Sequence, residues 1–173
     1  MSEYSSEILA VGIVGGLVVL CLYAVLVWCP PGSALDRDST WGYLGRQGTG
    51  LKWLWLAYTL VTAAAVVGTW TWIIMDATTT TGLTVAALVV FLSGAIVWPI
   101  GILCGSMRAA QLGVFMASVG SVLLLVYILS KTDAPVLVMC ATVQIVLHHC
   151  VVDGLWAILT PKGVFMLLEA TLQ

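Results

Sequence analysis

Five apolar runs decide what this chain can fold into: residues 8–28, 53–75, 83–104, 109–129 and 135–159. A helix rises 1.5 Å per residue, so about 20 apolar residues cross a hydrocarbon core of ~30 Å. Each run meets that length. The chain is 61% hydrophobic and 8% charged, where soluble domains carry roughly 25% charged residues. A soluble fold of 173 residues has too little interior to hide so much apolar surface. The expected class is all-α, a polytopic membrane protein whose single domain, 1–173, is a bundle of five transmembrane helices.

The connections fit that class. Cys29-Pro30-Pro31-Gly32 ends the first run, because proline cannot continue a helical ladder and restricts the residue before it. Residues 29–51 form the one long polar loop. Its glycine-rich stretch from Trp41 to Gly50 lacks the Lys-Ser/Thr ending of a phosphate-binding loop and has no strand before it. Trp41 and Tyr43 are instead expected at the headgroup level. Trp53 and Trp55 open the second run, and Trp70 and Trp72 close it. They read as two interfacial belts. Asp76 and the threonines after it form a short exposed connection, one of them a candidate N-cap for the next helix. Pro99 inside the third run predicts a kink or bulge. Pro135 suits the first turn of the last span, and Pro161 stops it. Phe165, Leu168 and Leu172 then suggest a short interfacial C-terminal helix.

Small residues mark where helices can approach closely. Gly12 and Gly16, then Gly101 and Gly105, are four apart. Ala109, Gly113, Ala117 and Ser121 extend the spacing to three steps, so this ladder is the expected helix-packing face.

Charge sets orientation and excludes classes. With the N-terminus outside, Arg37, Arg46, Lys52, Arg108 and Lys162 fall inside and Lys131 alone outside. The positive-inside rule therefore favours N-out and C-in, in a plasma, endoplasmic-reticulum or organellar inner membrane. The segment Met1–Glu7 holds two glutamates and no basic residue, the wrong sign for a targeting segment, so the first span is expected to be retained. A net charge of −2 without a basic cluster gives no footprint for nucleic acid. Five cysteines without metal-type spacing read as small hydrophobes rather than a disulfide framework.

The candidate functional residues lie in the fifth run. Both histidines of the chain, His148 and His149, stand there with Asp153, the only acidic residue inside any of the runs. Ionisable groups at such depth are costly, about 2.5–3.5 kcal/mol for Asp at a helix centre, so they need partners. At about 100° per residue, Thr142, His149, Asp153 and Trp156 share one face. Gln144 and His148 share another, roughly a quarter turn away. The expected node is His148, His149, Asp153 and Gln144, with His149 and Asp153 coupled at i, i+4.

His148-His149-Cys150-Val151-Val152-Asp153-Gly154 also resembles the HHxxxDG string of the condensation domains of nonribosomal peptide synthetases. That resemblance implies a soluble α/β acyltransferase with His149 as base and Asp153 as a structural group. It covers seven residues, and in that family the string lies on a loop in a solvent channel. Here it lies mid-helix in an apolar run, so we read it as coincidence.

Three functions remain open at this point. The first is a non-catalytic subunit of a larger membrane complex, in contact with lipid and with other membrane subunits. The second is a small proton-coupled transporter or channel using His149 and Asp153. The third is a redox subunit holding haem or pigment through His148 or His149. No catalytic residues and no metal site of three or more strong ligands are expected.

Overall fold

A computed structural model describes residues 5–27, 49–75, 82–104 and 106–159. The helices are α1 (Ser5–Val27), α2 (Thr49–Met75), α3 (Gly82–Leu103), α4 (Met107–Leu129), α5 (Val136–Val146) and α6 (Gly154–Leu159). A π-helical segment, Leu147–Asp153, joins α5 to α6. The described residues contain no strand. Five helical stretches are long and apolar enough to cross a membrane: Ile8–Val25, Ala57–Met75, Gly82–Leu103, Arg108–Leu129 and Val136–Asp153.

Most of the loop 29–51, Asp76 with its threonines, Gly105 and the expected C-terminal interfacial helix lie outside the described residues. The end of that loop is corrected: α2 begins at Thr49. Pro99 sits buried inside α3, which runs unbroken through it to Leu103. Pro135 stands immediately before α5, in extended backbone with ψ 141°. Its carbonyl accepts from the amides of Val138 and Met139 at 2.9 and 3.1 Å. At the start of α4, the Ser106 hydroxyl accepts from the Ala109 amide at 3.4 Å.

The helices close a ring. α1 packs on α3, α3 on α4, α4 on α5, α5 on α2, and α2 touches α1. One apolar core fills the ring, built from residues that include Ile8, Ile73, Leu88, Phe91, Leu124, Tyr127, Ile128 and Ile145. Trp70 belongs to this core and is 8% exposed, whereas Trp53 is 65% exposed. The expected aromatic belt at the far end of α2 is therefore corrected at Trp70. That residue shares its helix face with Ile73 at i+3, and that face turns inward.

α3 and α4 make the tightest pair. A Cβ added at Gly94 would collide with the backbone of Ala117 and Gly113, and one added at Gly101 with the backbone of Ala110. From the other side, Gly113 abuts the backbone of Trp98 and Gly120 that of Phe91. The two backbones touch along about three helical turns because glycine faces them from both helices.

Of the expected ladder, Gly113 and Ala117 lie at the contact, and Ser121 is fully buried. Ala109 sits at the margin, half-buried near Gly101. The contact line itself runs Ala110, Gly113, Ala117, Gly120. A strict four-residue step advances about 40° per step around a helix of 3.6 residues per turn, so alternating threes and fours are needed to stay on one face.

Candidate functional site

The π-helical segment carries the ionisable residues. A π turn bonds each amide to the carbonyl five residues back instead of four. In a regular α-helix, residues five apart point about 140° from each other. In the wider turn they stand nearly one above the other. This brings His148 over Asp153: His148 Nε2 lies 3.5 Å from Asp153 Oδ2. The expected i, i+4 partnership of His149 with Asp153 is corrected accordingly. The nearest histidine to the carboxylate is His148, and the physical reason is the extra residue in the turn.

His149 is oriented from its own helix. Its Nδ1 lies 2.8 Å from the Ile145 carbonyl oxygen. A carbonyl can only accept, so Nδ1 carries the proton and Nε2 keeps the lone pair. The backbone carbonyl of His149 in turn accepts from the Ser118 hydroxyl of α4 at 3.0 Å. Widening a helix disturbs its regular ladder, and buried carbonyls then recruit side-chain donors. About two turns beyond, the Gln111 amide of α4 donates to the Ala157 carbonyl at 3.1 Å, fixing α6 on the same neighbour.

Aromatic rings wall the cluster. Tyr58 of α2 packs on the His148 ring with centroids 5.3 Å apart. Phe91 of α3 stands edge-on to His149 at 5.0 Å. The two imidazoles meet edge-to-face at 5.0 Å. Tyr23 of α1 packs on Trp98 of α3 at 5.2 Å. Tyr58 of α2, Phe91 of α3 and Ser118 of α4 thus meet the histidines of the fifth span. His148 is 1% exposed and Asp153 6%. One ring nitrogen of each histidine and a carboxylate oxygen of Asp153 all lie within 4.8 Å of one another.

Gln144 does not join them. Its side-chain amide donates to the Thr62 hydroxyl of α2 at 3.3 Å, and that hydroxyl donates to the Tyr58 carbonyl at 3.0 Å. Gln144 therefore ties α5 to α2 one turn away from the cluster. Thr142, expected on the His149 face, is buried and donates to the Val138 carbonyl of its own helix at 2.8 Å. The side chain of Trp156 lies outside the described residues.

Of the expected node, His148, His149 and Asp153 gather, and they offer three ligand-type side chains within reach of one another. The cause is the same π turn, which folds His148, His149 and Asp153 onto one side. Sequence reasoning also missed Ser118, Tyr58 and Phe91. The signal available for the turn was the five-residue spacing of His148 and Asp153 within an otherwise apolar run.

No protein-family model, no curated protein and no solved structure matches the chain.

Proposed function

We propose that the chain is an integral-membrane protein of five transmembrane helices, N-terminus out and C-terminus in, and that it serves as a non-catalytic subunit of a larger membrane assembly. The observation that carries this reading is α1. Among its described residues Ile8 alone is buried. The helix meets α3 where Gly15 faces Leu92, on a half-buried stripe that also holds Gly12, Gly16, Val19 and Tyr23. Leu9, Val14, Leu17 and Leu20 face outward. Such exposed residues take up most of the circumference of α1. They leave a broad apolar face on which another membrane helix can pack in place of lipid. The polar chemistry, meanwhile, is drawn inward, where Gln111, Ser118 and Gln144 bridge helices and His148 and Asp153 pair within one.

The test is isolation from native membranes in mild detergent, with a photo-crosslinker at Val14. Membrane subunits at fixed stoichiometry, and a crosslink from Val14 to one of them, are expected. A chain that purifies alone, with crosslinks to lipid only, overturns the reading.

A second reading draws on the cluster itself. A small proton-coupled transporter would use His148, His149 and Asp153, since π turns recur at functional sites and intramembrane carboxylates mark proton relays. Proton flux in liposomes, abolished by Asp153→Asn, would select it.

A further inference from the structure

We infer that His148, His149 and Asp153 bind one divalent first-row transition-metal ion of the Zn2+ class, inside the bundle. The donor set is two imidazoles and a carboxylate, the ligands such ions take from nitrogen and oxygen. The spacing fits. Ligands at about 2.0–2.1 Å from a tetrahedral ion stand roughly 3.3 Å apart, and His148 Nε2 and Asp153 Oδ2 are 3.5 Å apart. The widest separation in the set is at most 4.8 Å. Small side-chain rotations close that difference, because all three residues hang from one seven-residue segment.

The surroundings fit as well. A histidine that ligates a metal through one nitrogen characteristically donates the other N–H to a carbonyl or carboxylate, which fixes its tautomer. His149 makes that bond to the Ile145 carbonyl at 2.8 Å and keeps Nε2 as its lone-pair nitrogen. Ser118 holds the backbone beneath it at 3.0 Å, and Phe91 and Tyr58 brace the two rings. A single hydrogen bond between His148 and Asp153 would leave the second imidazole without a role. A metal ion uses all three side chains. The fourth position falls to the second oxygen of Asp153 or to a water. The binding role is independent of the subunit reading, since it needs no partner chain.

The experiment uses the full chain, purified on a histidine-free tag into lipid nanodiscs, stripped with chelator and titrated with Co2+ alone. One equivalent per chain is expected, with the visible absorption bands of low-coordinate Co2+, displaced by Zn2+. Metal is also expected to raise the unfolding midpoint. His149→Gln and Asp153→Asn, both close in volume to the native residues, should weaken binding at least tenfold and remove the thermal shift. Cys140→Ala, at an exposed position of α5 outside the widened turn, should leave both unchanged. Circular dichroism and monodispersity confirm that each variant is folded. Where His149→Gln fails that check, Asp153→Asn decides, and a shared folding failure is resolved on wild type by the stoichiometry and thermal shift alone. Sub-stoichiometric Co2+, or binding and thermal shift undiminished in a folded His149→Gln or Asp153→Asn chain, overturns the site. The subunit reading fails separately, by the absence of partners.

Discussion

His148 Nε2 and Asp153 Oδ2 lie 3.5 Å apart across five residues of one helix. An α-helix would point them to different neighbours. The π-helical turn between Leu147 and Asp153 makes them a pair and places His149 beside them. The gathering of the three ionisable side chains follows from that one local change of pitch.

The pairing makes a quantitative prediction. Coupling energies between interacting side chains run about 0.5–3 kcal/mol. A double-mutant cycle of His148→Ala with Asp153→Ala, read by reversible unfolding of chelator-stripped protein in mixed micelles, should fall in that range. The cycle of His149→Ala with Asp153→Ala should give a smaller value, because His149 Nδ1 is already spent on the Ile145 carbonyl. The reverse order would mean that this region is regular α-helix in the membrane.

The α3–α4 seam should be the least tolerant surface of the chain. Gly94→Ala and Gly113→Ala each drive a methyl group into facing backbone, which no rotamer change relieves. Overpacking of this kind costs about 1–3 kcal/mol, and leucine at either position should cost more or block folding. Gly68→Ala meets nothing within 4 Å and should stay within about 0.5 kcal/mol of the native chain. Unfolding midpoints across the three variants check the order.

Gln144 and Thr62 should act as one tether. Intramembrane hydrogen bonds average about 0.6 kcal/mol in double-mutant cycles, with a maximum near 1.7. The bond at 3.3 Å should show a coupling of that size between Gln144→Leu and Thr62→Val. Because α2 is held to the bundle chiefly through α5, either variant should also speed hydrogen exchange in α2 more than in α3 or α4. Uniform exchange across all helices would contradict this placement of the tether.

Much of this architecture is legible in the sequence, for physical reasons that also mark where legibility ends. Spans are readable because hydrocarbon thickness imposes a length and lipid imposes composition. The polar residues of the fifth run stand out because charge at that depth is costly. Pairing is not readable from a wheel drawn at a constant 100° per residue. One wider turn moves Asp153 from His149 to His148, and no local propensity announces that turn. The small-residue ladder suffers a milder form of the same error: the steps of four from Ala109 drift off the face that Ala110, Gly113, Ala117 and Gly120 occupy. Trp70 shows a third limit. A tryptophan near a span end reads as interfacial, yet burial depends on which face the ring of helices turns inward, and that is a tertiary fact.

The exposed face of α1 separates folding from assembly. Val14 and Leu17 are exposed in the isolated chain, so Val14→Trp and Leu17→Trp should leave its unfolding midpoint within about 0.5 kcal/mol of native. A tryptophan at either position props a second helix away from that face. In native membranes, the same variants should therefore reduce recovery of co-purifying subunits several-fold while chain abundance and fold stay constant. Gly15→Leu should behave differently. Its side chain would enter Leu92 of α3, so it should destabilise the isolated chain first and the assembly only as a consequence. If Val14→Trp and Leu17→Trp leave co-purification intact, that face of α1 meets lipid, and any partner of this chain docks elsewhere.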